Sequence, residues 1–195
     1  MLLLNPLLKT SADLLAKQIE SEKGQALTAE AERAFELIGR AIRMAGYRNI
    51  NSTLQPKHAN QYIEVQKKSG YQGSDFLIVQ HELSPSVDFD CIGNELNKER
   101  TQNGLVRQGF RVDRQASVAK GVKVNGGSLI CQSLDRQGRI QNTTLMNGVN
   151  SLLIEELSVT ENSAIQKLFK VRLQMTDGAR LNIGLERTFS TRNLP

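Results

Sequence analysis

The side chains with the chemistry for catalysis or metal binding are few and scattered. The chain has two histidines. His58 lies in a polar, loop-like stretch, and His81 ends an apolar run beside Glu82. Neither histidine has a cysteine or an acid at a spacing typical of metal ligands. The pattern therefore predicts neither a metal site nor a catalytic role for them.

Two carboxylates stand close together in the sequence. Asp88 and Asp90 flank Phe89, so in a strand they would share one face. Such a pair could bind a cation or act as paired carboxylates, but a solvated strand edge is the favoured interpretation.

No glycine-rich phosphate loop precedes a helix, because Gly126 and Gly127 lead into a strand-like run. The sequence predicts a protein that is not an enzyme, with no catalytic residue, cofactor or metal.

The two cysteines, Cys91 and Cys131, admit one intramolecular pairing. In an oxidising compartment they would form a disulfide, whereas in the cytosol both would stay reduced as buried thiols. The residue counts favour neither alternative.

The charge of the chain leaves its partners open. Its 195 residues carry a formal net charge of +5, but basic and acidic residues are mixed and form no consecutive basic block. Solubility is the favoured explanation, and DNA binding is kept as an alternative. No apolar run reaches the roughly 20 residues that a membrane-spanning helix needs. The apolar residues 1–8 are too short for a signal peptide and indicate either the end of something longer or an ordinary N-terminal turn.

The elements that must position these residues begin with a strongly periodic helix. One apolar face recurs at steps of three and four residues, and Gly46 stands where a left-handed cap would close the helix. The stripe is weaker earlier, at Leu14, Leu15 and Ile19. We expect one helix over about residues 7–45, with its first half protruding and its second half packed. The residues predicted to pack on a sheet are Leu27, Ala31, Ala34, Phe35, Ile38, Ile42 and Ala45.

After Gly46 the pattern changes to strands. Asp177-Gly178 is a hairpin signal between two alternating runs, and the apolar triplet Leu152, Leu153 and Ile154 suggests a β-bulge. The chain is thus expected to be α+β, a long N-terminal helix (residues 1–47) laid on an antiparallel β head (residues 48–195). The predicted strands are 62–65, 75–81, 105–112, 128–131, 148–159, 168–175 and 181–189.

Three motifs, in order, carry a resemblance to a known family. The helix ends in Arg43-Met44-Ala45-Gly46-Tyr47, Cys91 lies in an Asp-Cys-Ile-Gly-Asn turn at 90–94, and Cys131 ends a Gly-Ser-Leu-Ile-Cys strand followed by Leu-Met-Asn-Gly-Val at 145–149. The resemblance covers residues 27 to about 190. In these motifs the chain resembles PilW-type minor pilins of type IV pili.

The resemblance implies a type IV pilin-like fold and a structural role. Such a protein primes or caps pilus assembly in a hetero-oligomer with other minor pilins and the major pilin, and so serves twitching motility, adhesion or DNA uptake. It implies a Cys91–Cys131 disulfide in a periplasmic head, within the inner membrane and pilus fibre of a Gram-negative-type bacterium.

The family also begins with a leader and an apolar anchor of about 20 residues, which this sequence does not show. Residues 1–8 would correspond to the last turns of that anchor, so membrane insertion is expected of a longer form. The alternatives are a J-type minor pseudopilin of type II secretion, which shares the helix-plus-sheet plan, and a DNA-binding competence factor.

Overall fold

A long helix precedes the strands in this computed structural model, which describes residues 4–50, 52, 59–115, 118, 124–157 and 166–194. Helix α1 begins and ends within a few residues of the predicted limits and continues through Gly24 without interruption. The helices are α1 Leu4–Met44 and α2 Ala59–Tyr62, and the strands are β1 Ile63–Gln66, β2 Phe76–Glu82, β3 Asp88–Phe89, β4 Glu95–Leu96, β5 Leu105–Asp113, β6 Gly127–Leu134, β7 Ile140–Leu157, β8 Leu168–Thr176 and β9 Asn182–Ser190.

Seven of the strands form one antiparallel sheet in the order β1-β2-β5-β6-β7-β8-β9, and β3 and β4 form a separate two-stranded pair. Helix α1 packs on this sheet and contacts β9, β8 and β2. The α+β prediction, a long helix on an antiparallel sheet, is therefore confirmed. The predicted hairpin at Asp177 is confirmed in that β8 pairs with β9, although the connection between them is longer than a two-residue turn.

Strand β7 is much longer than predicted, because its two halves pair with two different strands. Its first half pairs with β6 up to Val149, and its second half pairs with β8 from Val149 to Leu157. In the pairing with β8, the β-bulge lies at Asn150, since Val149 faces Met175 and Ser151 faces the adjacent Gln174. The bulge predicted at residues 152–154 is wrong.

The apolar triplet has a different cause. Leu152 and Ile154 are fully buried on the helix side of the sheet, whereas Leu153 lies on the opposite face and is 36% exposed. Three apolar residues in a row can thus keep an unbroken register when an apolar side chain is also placed on the outer face. Strand β6 is likewise longer than predicted and continues past Cys131 to Leu134.

The buried carboxylate of Asp75 binds backbone groups beside the second half of β7. The N–H of Asp75 donates to the carbonyl oxygen of Leu152 at 2.7 Å. The Asp75 carboxylate accepts from the N–H groups of Ile154 at 2.8 Å and Lys68 at 3.0 Å, and from Nζ of Lys67 at 3.1 Å. These bonds satisfy backbone groups on the side of β7 that β8 does not cover.

Helix α1 fits closely against the sheet because its buried face is built mostly of small residues. A Cβ atom at Gly39 would lie 2.4 Å from the ring of Phe189 on β9, so glycine leaves room for that ring. The rings of Phe189 and Phe35 have centroids 6.3 Å apart. Arg187 places its guanidinium 5.7 Å above the Phe35 ring and pairs with Glu32. The residues of the predicted packing face lie accordingly: Ala31, Ala34, Phe35, Ile38, Ile42 and Ala45 are buried, and Leu27 is partly buried.

Candidate functional site

The two carboxylates that could have formed an acidic pair have separate structural partners. Asp90 is buried, and its carboxylate accepts from the N–H groups of Ile92 at 3.0 Å and Asn94 at 2.8 Å. Asp88 accepts from the N–H of Ser84 at 2.8 Å. The interpretation of Asp90 as part of a solvated strand edge is wrong, because this carboxylate builds the turn that carries Cys91.

His81 is buried in β2 and has one hydrogen-bond partner. Its Nδ1 lies 2.8 Å from the carbonyl oxygen of Glu82, which can only accept, so Nδ1 carries the proton. Its Nε2 is buried without a partner in the described part of the chain. His58 lies outside the described residues. Among the residues that the structure describes, no three His, Cys, Asp or Glu side chains come together as a metal site requires.

Lowering the pH from about 7 to about 5 is expected to reduce the free energy of unfolding, because the unfolded chain can protonate His81 freely. Burial lowers the pKa of His81 below its ordinary value of 6.5, helped by Arg40 and opposed by the Glu82 hydrogen bond and by Asp88. Below that value the unfolded chain binds more protons than the folded chain. Stability is therefore lost as the pH falls from the unfolded to the folded pKa. Urea titrations should show a slope of at most about 1.4 kcal/mol per pH unit for this one proton.

The variant His81→Gln is the control for this pH dependence. It removes the titrating imidazole, so its unfolding free energy should vary less between about pH 7 and about pH 5 than that of the wild type. An equally steep dependence in the variant would contradict the assignment to His81. Asp135 and Asp177 do not interfere, because hydrogen bonds from backbone N–H groups lower their pKa values from 3.8, below this range.

Cys91 and Cys131 form a disulfide that joins the β3–β4 turn to the main sheet. Both residues are buried, with Cys131 inside β6, and their Cα atoms lie 6.2 Å apart. The Asp90 carboxylate also holds this turn through its hydrogen bonds, and Arg100 lies 3.8 Å from that carboxylate. The turn at residues 90–94 is therefore fixed by one covalent link and by a buried acid.

The motif at residues 43–47 forms the joint between α1 and the sheet. Gly46 has a φ of +76°, and a Cβ atom there would lie 2.6 Å from the carbonyl oxygen of Asn193, so both conformation and space require glycine. Its N–H donates to the carbonyl oxygen of Gln80 at 3.1 Å, and the carbonyl oxygen of Tyr47 accepts from the N–H of Glu82 at 2.9 Å. Asn193 Nδ2 donates to the carbonyl oxygen of Arg43 at 2.8 Å. Met44 and Ala45 complete this joint, with Ala45 fully buried.

The first half of α1 leaves the sheet near Gly24. A Cβ atom at Gly24 would still be 3.8 Å from Ile183 on β9, and Lys23 pairs with Asp177 at 3.6 Å. Residues 9–23, here called the exposed helix segment, are all exposed. Its three large apolar side chains are largely accessible to solvent: Leu14 is 64%, Leu15 60% and Ile19 53% exposed.

No protein-family model, curated protein or solved structure matches this chain. The candidate functional site is the exposed helix segment: the other half of α1 is buried against the head, whereas this segment presents Leu15 and Ile19, four residues apart, on one exposed face. None of the described helices is long and apolar enough to cross a membrane.

Sequence reasoning missed Asp75 as a structural residue. It placed Asp75 only at the start of a predicted strand, whereas the carboxylate accepts hydrogen bonds from three residues. The available signal is an acid directly before the apolar run that begins at Phe76. A charged side chain at the edge of a buried strand must be paired, but the sequence does not show with which partner.

Proposed function

We propose that this chain is a minor pilin of the PilW type, a structural rather than catalytic protein with a type IV pilin-like fold. The observation that carries the proposal is the division of α1 into a buried half and an exposed half. A helix whose C-terminal half packs on the head and whose N-terminal half is exposed is suited to packing against helices of other subunits. The apolar side chains of Leu14, Leu15 and Ile19 have no neighbour in the described chain that covers them, and burial in an assembly would remove them from water.

Two further observations support the proposal. The Cys91–Cys131 disulfide suits an oxidising compartment such as the periplasm. The Arg43-Met44-Ala45-Gly46-Tyr47 motif has a physical role as the joint that sets the direction of the helix relative to the head. In this proposal the partners are the other minor pilins and the major pilin, and a longer form of the chain would be anchored in the inner membrane.

The proposal is tested in the native host with the double variant Leu15→Asp/Ile19→Asp. We expect the protein to accumulate with its disulfide formed, because neither side chain packs on the head. Surface pili and twitching should fall at least tenfold, because two carboxylates cannot be buried in a helix bundle.

The matched control is Gln18→Asp/Ser21→Asp, which adds the same charge at exposed polar positions of the same segment and should leave piliation unchanged. Wild-type piliation in the Leu15→Asp/Ile19→Asp strain would contradict the proposal. Normal pili with a loss of protein secretion would instead assign the chain to the J-type pseudopilins.

DNA binding has one observation in its favour. A cleft of about 350 Å³ on the outer face of the sheet has four basic residues in its lining, Lys67, Lys68, Lys170 and Arg172, together with the acidic residues Asp75 and Glu155. Lys67 is already engaged by Asp75, and Arg172 pairs with Glu186 at 3.2 Å. A salt-dependent retardation of DNA that Lys68→Glu and Lys170→Glu abolish would support this second function. Absence of retardation at about 50 mM salt would eliminate it.

A further inference from the structure

A second cleft, here called the amide cleft, lies where β7, β8 and β9 meet on the face of the sheet away from α1. Its volume is about 520 Å³, within the range of about 300–1,000 Å³ that is usual for small-molecule sites. The polar side chains in its lining are amides and hydroxyls, namely Gln72, Asn125, Asn150, Ser151, Gln174, Thr176 and Asn182. Among the described residues that line it, none carries a charged side chain.

Three hydrogen bonds orient the amide side chains of the cleft. Asn150 Nδ2 donates to Asn182 Oδ1 at 2.9 Å, and Ser151 Oγ donates to Gln174 Oε1 at 3.2 Å. Asn125 Nδ2 donates to the carbonyl oxygen of Gly178 at 3.0 Å. Within the described chain, Asn150 Oδ1, Asn182 Nδ2 and Gln174 Nε2 make no further hydrogen bond. The cleft thus combines oriented side chains with donors and acceptors that are still available to a ligand.

The backbone around the amide cleft is irregular at several points. Asn150 is the residue at which β7 bulges against β8, and Gln72 in the lining has a φ of +51°, which is uncommon for a residue other than glycine. Gly126 has a φ of +87°, and a Cβ atom there would lie 2.8 Å from Thr176. Bulges and left-handed residues concentrate beside binding sites, where they re-aim side chains. Three such features on one cleft point to a shaped site rather than to a gap between strands.

We propose that the amide cleft binds a neutral polyhydroxylated ligand, that is, an uncharged saccharide. Hydroxyl groups donate and accept at once, and so do the paired amides of Asn150, Asn182 and Gln174. The absence of lining charges among the described residues disfavours anions and cations. Leu153 supplies an apolar patch in the same lining against which the C–H face of a sugar ring can rest. This binding does not depend on pilus assembly.

The probes are maltose, lactose and N,N′-diacetylchitobiose, tested on the full chain by saturation-transfer NMR and titration. At least one should bind with a millimolar or tighter Kd. Because no charged side chain among the described lining residues takes part, the Kd should be insensitive to salt. Sialyllactose and N-acetyl-triglycine amide serve as an anionic sugar and a neutral peptide. Tighter binding of either one than of every neutral sugar would overturn the proposal, as would no binding of any neutral sugar.

Two variants locate the site. Gln174→Leu and Asn182→Leu remove amides from exposed positions, and each should weaken sugar binding at least tenfold without changing the unfolding midpoint. Thr188→Val is the matched control, because Thr188 is exposed on β9 outside the cleft, and its Kd should equal that of the wild type. Wild-type affinity in both leucine variants would place the sugar elsewhere and overturn the assignment.

Discussion

Replacing Ile38 by Ala is expected to lower the free energy of unfolding by about 2–5 kcal/mol, the range for truncating a large aliphatic side chain in a core. Ile38 is fully buried in the same core cluster as Phe35 and Ile42 on the helix and Val171 and Leu173 on β8. The neighbours can relax only in part, so the lost transfer free energy is increased by the cost of a cavity. Phe35→Ala should cost a similar amount, because it also removes the ring that contacts Phe189. Urea unfolding followed by circular dichroism measures both.

The control for these variants lies on the same helix. Leu15→Ala removes a side chain that is 60% exposed, so its effect should stay within about 0.5 kcal/mol, as is usual for surface substitutions. The contrast between Ile38→Ala and Leu15→Ala tests the division of α1 directly. Equal unfolding midpoints for the wild type, Ile38→Ala and Leu15→Ala would show that the helix is not held against the sheet. A large loss in Leu15→Ala would show that the exposed helix segment is already buried by a partner.

The helix and its packing face could be predicted because burial on one side imposes a repeat. Ala31, Ala34 and Ile38 return to the same side every three or four residues, and each is fully buried. The alternation of Phe169, Val171 and Leu173 in β8 follows the same logic with a period of two. The extent of β7 could not be predicted, because its two halves pair with different strands and no local pattern records that change.

Hydrophobic periodicity does not reveal residues whose contact partners lie far away in the sequence. The Asp75 carboxylate accepts a hydrogen bond from the N–H of Ile154, which lies 79 positions away in the sequence. Only the assembled sheet brings the two groups together. The amide cleft is a stronger case, since Asn125, Asn150, Gln174 and Asn182 come from separate stretches of chain. Each is an ordinary polar residue in its own segment. Their convergence depends on the register of β7, β8 and β9 and on one bulge, which are properties of the assembled sheet.

Removing the disulfide is expected to lower the free energy of unfolding by about 4 kcal/mol, within the range of about 2–5 kcal/mol for native disulfides. Cys91 and Cys131 are separated by 40 positions, and on the chain-entropy model a closed loop of that length restricts the unfolded chain by about this amount. The direct measurement compares urea unfolding of the oxidised protein with that of the same protein in dithiothreitol. The double variant Cys91→Ala/Cys131→Ala should resemble the reduced protein and should not respond to dithiothreitol.

The variant and the reduced protein together separate two contributions. Both lack the cross-link, but only the variant loses the two sulfur atoms, of which that of Cys131 is buried in β6. Any further loss in the variant therefore measures packing, and the difference between oxidised and reduced protein measures the cross-link. Alkylation of the protein in its native compartment should label no cysteine before reduction and both cysteines after reduction. Two free thiols before reduction would remove the periplasmic placement on which the proposed role in pilus assembly depends, whereas none would leave the head oxidised, as that role requires.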